Sequence, residues 1–105
     1  MELVSYTVVL LRRPADAPDL PEHELEALQD AHIAFLQAQR DAGTLLVAGP
    51  FLGQPDESLR GLCVYAVPVE TARAIAATDP SVVAGRMAAE VFEWLIPPGL
   101  VSFGS

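Results

Sequence analysis

The sequence has no lysine, one cysteine, and few aromatic residues: one tryptophan, two tyrosines and four phenylalanines among 105 positions. Each scarcity excludes something. Without lysine, six arginines carry all the positive charge against fourteen acids, and the net charge is −8. Such a chain repels nucleic acid and anionic membrane surfaces, and no basic patch reverses that. A lone cysteine, Cys63, has no partner for an internal disulfide, which fits a reducing, cytoplasmic setting. The longest apolar stretch, Leu3–Leu11, is about half of what a bilayer span requires. No basic segment precedes it, so no secretory leader is expected. One cysteine and two histidines, His23 and His32, have no spacing for a closed metal site. No glycine-rich phosphate loop, dinucleotide fingerprint, repeat or low-complexity segment occurs. Neither a metal nor a cofactor is therefore expected.

What is present is enough for one core. Hydrophobic residues make up 51% of the chain, which argues against disorder. A fold of this mass exposes roughly 5,700 Å² and buries about two thirds of its unfolded surface, which suits one domain spanning 1–105. Leu3–Leu11 is rich in β-branched residues and reads as a strand. Arg13–Pro21 carries three prolines and two aspartates and reads as a loop. Glu22–Ala42 has helical spacing, with Leu25, Leu28, His32, Phe35 and Leu36 on one stripe and Gly43 placed to end it. Thr44–Phe51 is a second strand, Gly53–Ser58 a hairpin loop and Leu59–Val67 a third strand. Pro68 opens a helix through Ala77. Ser81–Gly85 reads as one helical turn, and Ala88–Ile96 as a last strand stopped by Pro97-Pro98-Gly99.

The order β-α-β-β-α-β is the ferredoxin-like arrangement, α+β, with a four-stranded antiparallel sheet and two helices on one face. The outer strands nevertheless carry apolar side chains on both alternating sets, for example Val8 with Val9, and Phe92 and Trp94 with Val91 and Leu95. Two helices cover only one face. The uncovered face calls for a second sheet, and a two-fold homodimer is the simplest source. The alternative cover is the tail Gly99–Ser105 folded back, which is too short for a whole sheet.

Two residues stand out chemically. His32 lies on the apolar stripe of the first helix, either as a satisfied core group or aimed into a pocket. Asp79 precedes Pro80 in the turn after the second helix, where an aspartate commonly caps the next helical turn. Both helices lie on one face of the sheet, so the two can meet. A carboxylate beside an imidazole fixes its tautomer and raises its basicity. Gly49-Pro50 ends a strand sharply and either forms a plain turn or lets backbone approach a ligand. Arg12, Arg13, Arg60 and Arg86 are the available anion contacts, with Arg60 at the start of the third strand. Tyr6 and Tyr65 sit in strands and either pack or line a site, whereas Cys63 reads as a small buried hydrophobe.

The helix carrying His32, then Ala42-Gly43, then Leu46-Val47-Ala48-Gly49-Pro50-Phe51, then Asp79-Pro80 with Val83-Ala84-Gly85, resembles the YCII (YciI-like) family over Leu3 to about Trp94. The resemblance implies a ferredoxin-like fold assembled as a dimeric α+β barrel. It implies a His/Asp pair in a pocket, carried here by His32 and Asp79. Gly49 and Pro50 would lie at the pocket wall, with Ser81 near it. One branch of the family removes chloride from a chlorinated hydroxyquinol, and structural cousins isomerise muconolactones. The proline-rich Arg13–Pro21 segment departs from the shorter members and lies where it can reshape a pocket mouth. Two functions follow as expectations. One is a cofactor-independent isomerase or lyase, using His32 and Asp79 on a small organic acid or phenol. The other is a non-catalytic dimeric module that binds a small molecule or serves a larger enzyme, with the pair as a sealed structural contact. A relative holding haem or flavin is a third reading, which colour in the purified protein would reveal.

Overall fold

A computed structural model describes residues 2–103. Seven elements follow one another: β1 (Val4–Arg12), α1 (Glu22–Asp41), β2 (Leu45–Pro50), β3 (Leu59–Tyr65), α2 (Val69–Ala76), α3 (Pro80–Val83) and β4 (Ala88–Ile96). The strands form one antiparallel sheet in the order β2-β3-β1-β4. This is the ferredoxin-like order, with the short α3 added between α2 and β4. Element ends fall within a residue or two of the expected positions. The first strand extends one residue further than its apolar run suggests, because Arg12 still pairs with Leu59 and Ala88. The third strand ends at Tyr65, where Ala66 N–H turns to the carbonyl of Thr44. Pro50 lies inside β2 without breaking the sheet, since β2 is an edge strand and its missing N–H is not needed.

The two long helices sit differently on the sheet. α2 presents Ala72 and Ala76, both buried, and these small side chains let it approach β1 and β4 closely. Val9, Leu11, Leu45, Cys63 and Tyr65 complete the core there. α1 buries only His32, while its leucines are half-covered. Beneath α1 the register aligns Ala48 with Cys63 and Pro50 with Gly61 on the helix side of β2 and β3. Small side chains under a helix that stands off leave space, and that space is a cavity.

Alternation along β1 sends Val4, Tyr6, Val8 and Leu10 to the other face, beside Phe92, Trp94 and Ile96 of β4. The tail reaches back over one corner, where the Phe103 ring meets the Tyr6 ring edge-on at 5.1 Å. Gly104 and Ser105, the end of the tail considered as a cover, lie outside the described residues. Val47, Phe92 and Trp94 remain 48%, 44% and 45% exposed.

Candidate functional site

Asp79 ends the connection from α2 and is the N-cap of α3. Its Oδ1 accepts the Ser81 backbone N–H at 2.9 Å and the Ser81 hydroxyl at 2.8 Å. Its Oδ2 lies 2.7 Å from His32 Nδ1. The sequence points to a cap and to a contact with His32. The carboxylate does both, one oxygen to each. Pro80 at the first helical position costs α3 nothing.

The pair is buried, His32 at 9% exposure and Asp79 at 2%. Burial alone would raise the Asp79 carboxyl. The hydrogen bonds from His32 and then from Ser81, with the attraction of the imidazole, outweigh it and hold the carboxyl below its ordinary value. Asp79 is therefore a carboxylate at neutral pH, and it accepts Nδ1–H from His32. That leaves Nε2 as the unprotonated nitrogen of the neutral ring, with no hydrogen-bond partner among the described residues.

His32 lines a cavity of about 330 Å³ between α1 and the β2–β3 floor. Gly49, Pro50 and Arg60 line the same cavity, so the structure brings four of the six expected site residues onto one space. Ser81 lines a smaller neighbouring cavity of about 190 Å³. Its hydroxyl, 3.4 Å from His32 Nδ1, is engaged with Asp79. Asp79 lines neither cavity and stands behind the histidine. Gln29 and Ile33, one turn before and one residue after His32, also line the larger cavity. The spacing of three residues from His32 is the sequence signal that could have found Gln29, whereas Ile33, adjacent to His32 in sequence, carries no such signal.

The glycines of the wall differ. A Cβ on Gly61 would stand 3.0 Å from the Gly49 carbonyl oxygen, so any side chain there makes β2 give by a few tenths of an ångström. A Cβ on Gly49 would meet nothing within 4 Å. Cys63 lines the cavity but is buried, and burial followed by the Asp79 charge pushes its thiol up to about 12. It is a neutral thiol, not a nucleophile. Tyr65 is a core residue and Tyr6 packs on Phe103; neither lines this cavity. The proline-rich loop is held in place by Arg86, which donates to the Pro18 carbonyl at 2.9 Å. Among the described residues no group of three or more His, Cys, Asp or Glu side chains converges to hold a metal ion.

This arrangement can be set beside known proteins. The model of the YCII-related domain family matches residues 5–95. The chain belongs to the YCII-related family. Among curated proteins no sequence matches it. Among solved structures it is similar to the 5-chloro-2-hydroxyhydroquinone dehydrochlorinase TftG of Burkholderia phenoliruptrix, in complex with 2,5-dihydroxybenzoquinone. The TM-score is 0.60 at 18% identity, over 85% of this chain and 92% of that one. At this identity the likeness is one of fold. No helix among the described residues is long and apolar enough to cross a membrane.

Proposed function

We propose that this YCII-related protein is a cofactor-independent enzyme that moves a proton on a small organic acid or phenol, with His32 as the general base. One observation carries the reading. Nδ1 of His32 is held by a buried carboxylate, while the opposite nitrogen is unpartnered and the ring borders an open cavity. A purely structural pair would be sealed on both sides.

In the proposed step Nε2 accepts a proton from a carbon or hydroxyl of the ligand. The imidazolium that forms is stabilised by Asp79 at 2.7 Å. Returning the proton to another carbon gives isomerisation. Loss of a leaving group as HX gives elimination, the reaction class of the dehydrochlorinase with the similar fold. Each needs a proton acceptor and no change of oxidation state at the protein. Asp79 is a positioning residue, Ser81 secures it, and Gly49, Pro50 and Arg60 form ligand contacts. General base catalysis contributes about 10²–10⁴-fold.

Solvent-deuterium exchange into a panel of enolisable acids and hydroxyquinols, followed by NMR, tests this. Chloride release from 5-chloro-2-hydroxyhydroquinone is measured alongside. Wild type should exchange or turn over at least one member, and His32→Gln should lose it. Ligands that bind without exchange or turnover would replace this reading with the binding-module one. Activity that survives in His32→Gln would remove the histidine from the mechanism.

The proposal includes assembly as a homodimer through the outer face of the sheet. The chain exposes 6563 Å², about 15% more than a monomer of its mass normally does. Part of that surplus is the half-exposed apolar set Val47, Phe92 and Trp94. A flat β face of this kind is matched by another of its own kind. Sedimentation should give twice the 11.2 kDa chain mass, and Trp94→Glu should halve it. A wild-type monomer at micromolar concentration would overturn the dimer.

A further inference from the structure

The charges around the cavity run against those of the molecule. No aspartate or glutamate lines either the larger or the smaller cavity, although the chain has fourteen acids. Three of its six arginines do: Arg13 borders both, Arg60 the larger and Arg86 the smaller. Among the described residues none of the three makes an ion pair. Arg60 donates to the Glu57 carbonyl at 3.0 Å and Arg86 to the Pro18 carbonyl at 2.9 Å, both neutral acceptors. Arg13 makes no side-chain hydrogen bond among the described residues, and its Nε is the one buried side-chain nitrogen or oxygen there without a partner. Burial, then Arg86 and Arg60, push its guanidinium below its ordinary value, although it remains charged. A folded chain rarely leaves a buried donor unpaired, and a cation facing two like charges is doubly unfavourable.

We infer that the cavity beside His32 takes an anionic ligand, a small aromatic or enolic molecule bearing a carboxylate or phenolate, whose charged oxygens are received by Arg13 with Arg60 and Arg86 beside it. This rests on the reading that the cavity is the ligand site. The fit is chemical. A guanidinium presents two parallel donors to a carboxylate, and such charge-assisted bonds are among the strongest available to a protein. Arg13 borders the same cavity as the unpartnered imidazole, so one end of a ligand can be anchored while the other is presented to Nε2. Leu11, Ile33, Leu36 and Met87 give the cavity apolar walls that suit the ligand's ring or chain. In a protein of charge −8, this local cluster of arginines also draws an anion toward the cavity.

Calorimetric titration at constant ionic strength tests the inference with a matched pair, 2,5-dihydroxybenzoate and the neutral 2,5-dihydroxybenzamide. Wild type should bind the acid and prefer it over the amide by about 10-fold or more. Arg13→Met should lose that preference, with Kd for the acid raised about 10- to 100-fold. Arg60→Met should weaken it less, and provides the comparison if Arg13→Met does not fold. His32→Gln should keep the preference. An acid that does not bind wild type, that binds no better than its amide, or that binds both arginine variants like wild type overturns the inference. If the preference is present but no proton exchange is found, the catalytic reading falls and the anion site stands. Exchange without any preference has the reverse meaning.

Discussion

Arg12 leaves the outer face of the sheet toward Asp56 and Glu90, at 3.1 and 3.4 Å, while Arg13, one residue later, turns to the cavity side and meets no acid among the described residues. The same residue type thus sits in opposite electrostatic states on two sides of one sheet. On the outside the hydrogen bond that Arg12 donates to Glu90, with the nearby carboxylates, raises the Arg12 guanidinium above its ordinary value against the opposing effect of burial. On the inside burial and two like charges lower Arg13. The outer pairs are solvent-screened and add little to stability. The inner side holds two polar arrangements that are costly: an arginine without an ion-pair partner among the described residues, and an imidazole bound to a buried carboxylate. Polar groups kept in costly states lie on the side of the sheet that holds the proposed ligand cavity.

The comparison breaks most severely at Asp79. Asp79→Ala removes the cap of α3 and leaves His32 Nδ1 and the Ser81 donors without their buried acceptor. Chemical denaturation should show a loss of about 2–4 kcal/mol. Asp79→Asn is gentler on the fold and more informative about the chemistry. Ser81 gives two donors to the Oδ1 side, so the new carboxamide keeps its oxygen there and turns its NH₂ toward His32. An amide donor facing Nδ1 forces the ring proton to Nε2, the nitrogen that should act as base. Nitrogen-15 NMR should show Nδ1–H in wild type and Nε2–H in the variant. Any His32-dependent exchange or turnover should fall on the order of 10²–10⁴-fold. An unchanged tautomer would mean that Asp79 does not control the imidazole.

The same carboxylate makes acid stability a reporter. Its native value lies below the ordinary 3.8. A group lowered in the folded state contributes fully above its unfolded value, and loses that contribution as pH falls through the folded one. The stability gap between wild type and Asp79→Asn should therefore narrow between about pH 5 and pH 2. A gap that widens on acidification would contradict the burial and bonding of Asp79.

Much of this architecture is legible in the sequence. Period-two and period-3.6 patterns place the strands and long helices, because each element repeats its preference over many residues. Asp79 before Pro80 announces a cap, and topology brings it near His32. The sequence alone could not show that one carboxylate serves both partners, since this depends on where each oxygen points. Nor could it separate Arg12 from Arg13. Alternation says that neighbours in a strand face opposite ways, but only the packing of α1 and α2 decides which face is inner. The cavity was hidden for a related reason. Its floor is made of Ala48, Gly61 and Cys63, unremarkable singly, and only the β2–β3 register aligns them under one helix. The outer apolar face, by contrast, was visible from the two-sided composition of β1 and β4, and only part of it, Val47, Phe92 and Trp94 included, stays half-exposed while Val8 and Ile96 are buried. Local size tells in the same way at the wall. Gly61→Ala should lower Tm, because β2 must give way by a few tenths of an ångström, whereas Gly49→Ala should not.

The smallest effect is the one that tests the comparison most directly. Arg12→Met removes a cation from between two exposed acids, and Tm should scarcely move, because screened pairs contribute little. Arg13→Met removes a cation that has no counter-charge and leaves an apolar side chain against Leu11 and Met87. Without ligand, this variant should be as stable as wild type or more so, by up to about 1 kcal/mol, which in a chain of this size is roughly 4–8 °C in Tm. A stabilising loss of charge at Arg13, beside a neutral one at Arg12, would show that Arg13 is retained at the expense of the empty fold. A strong destabilisation would instead make Arg13 a structural group whose partner is supplied by the fold, and the contrast between the two faces would vanish.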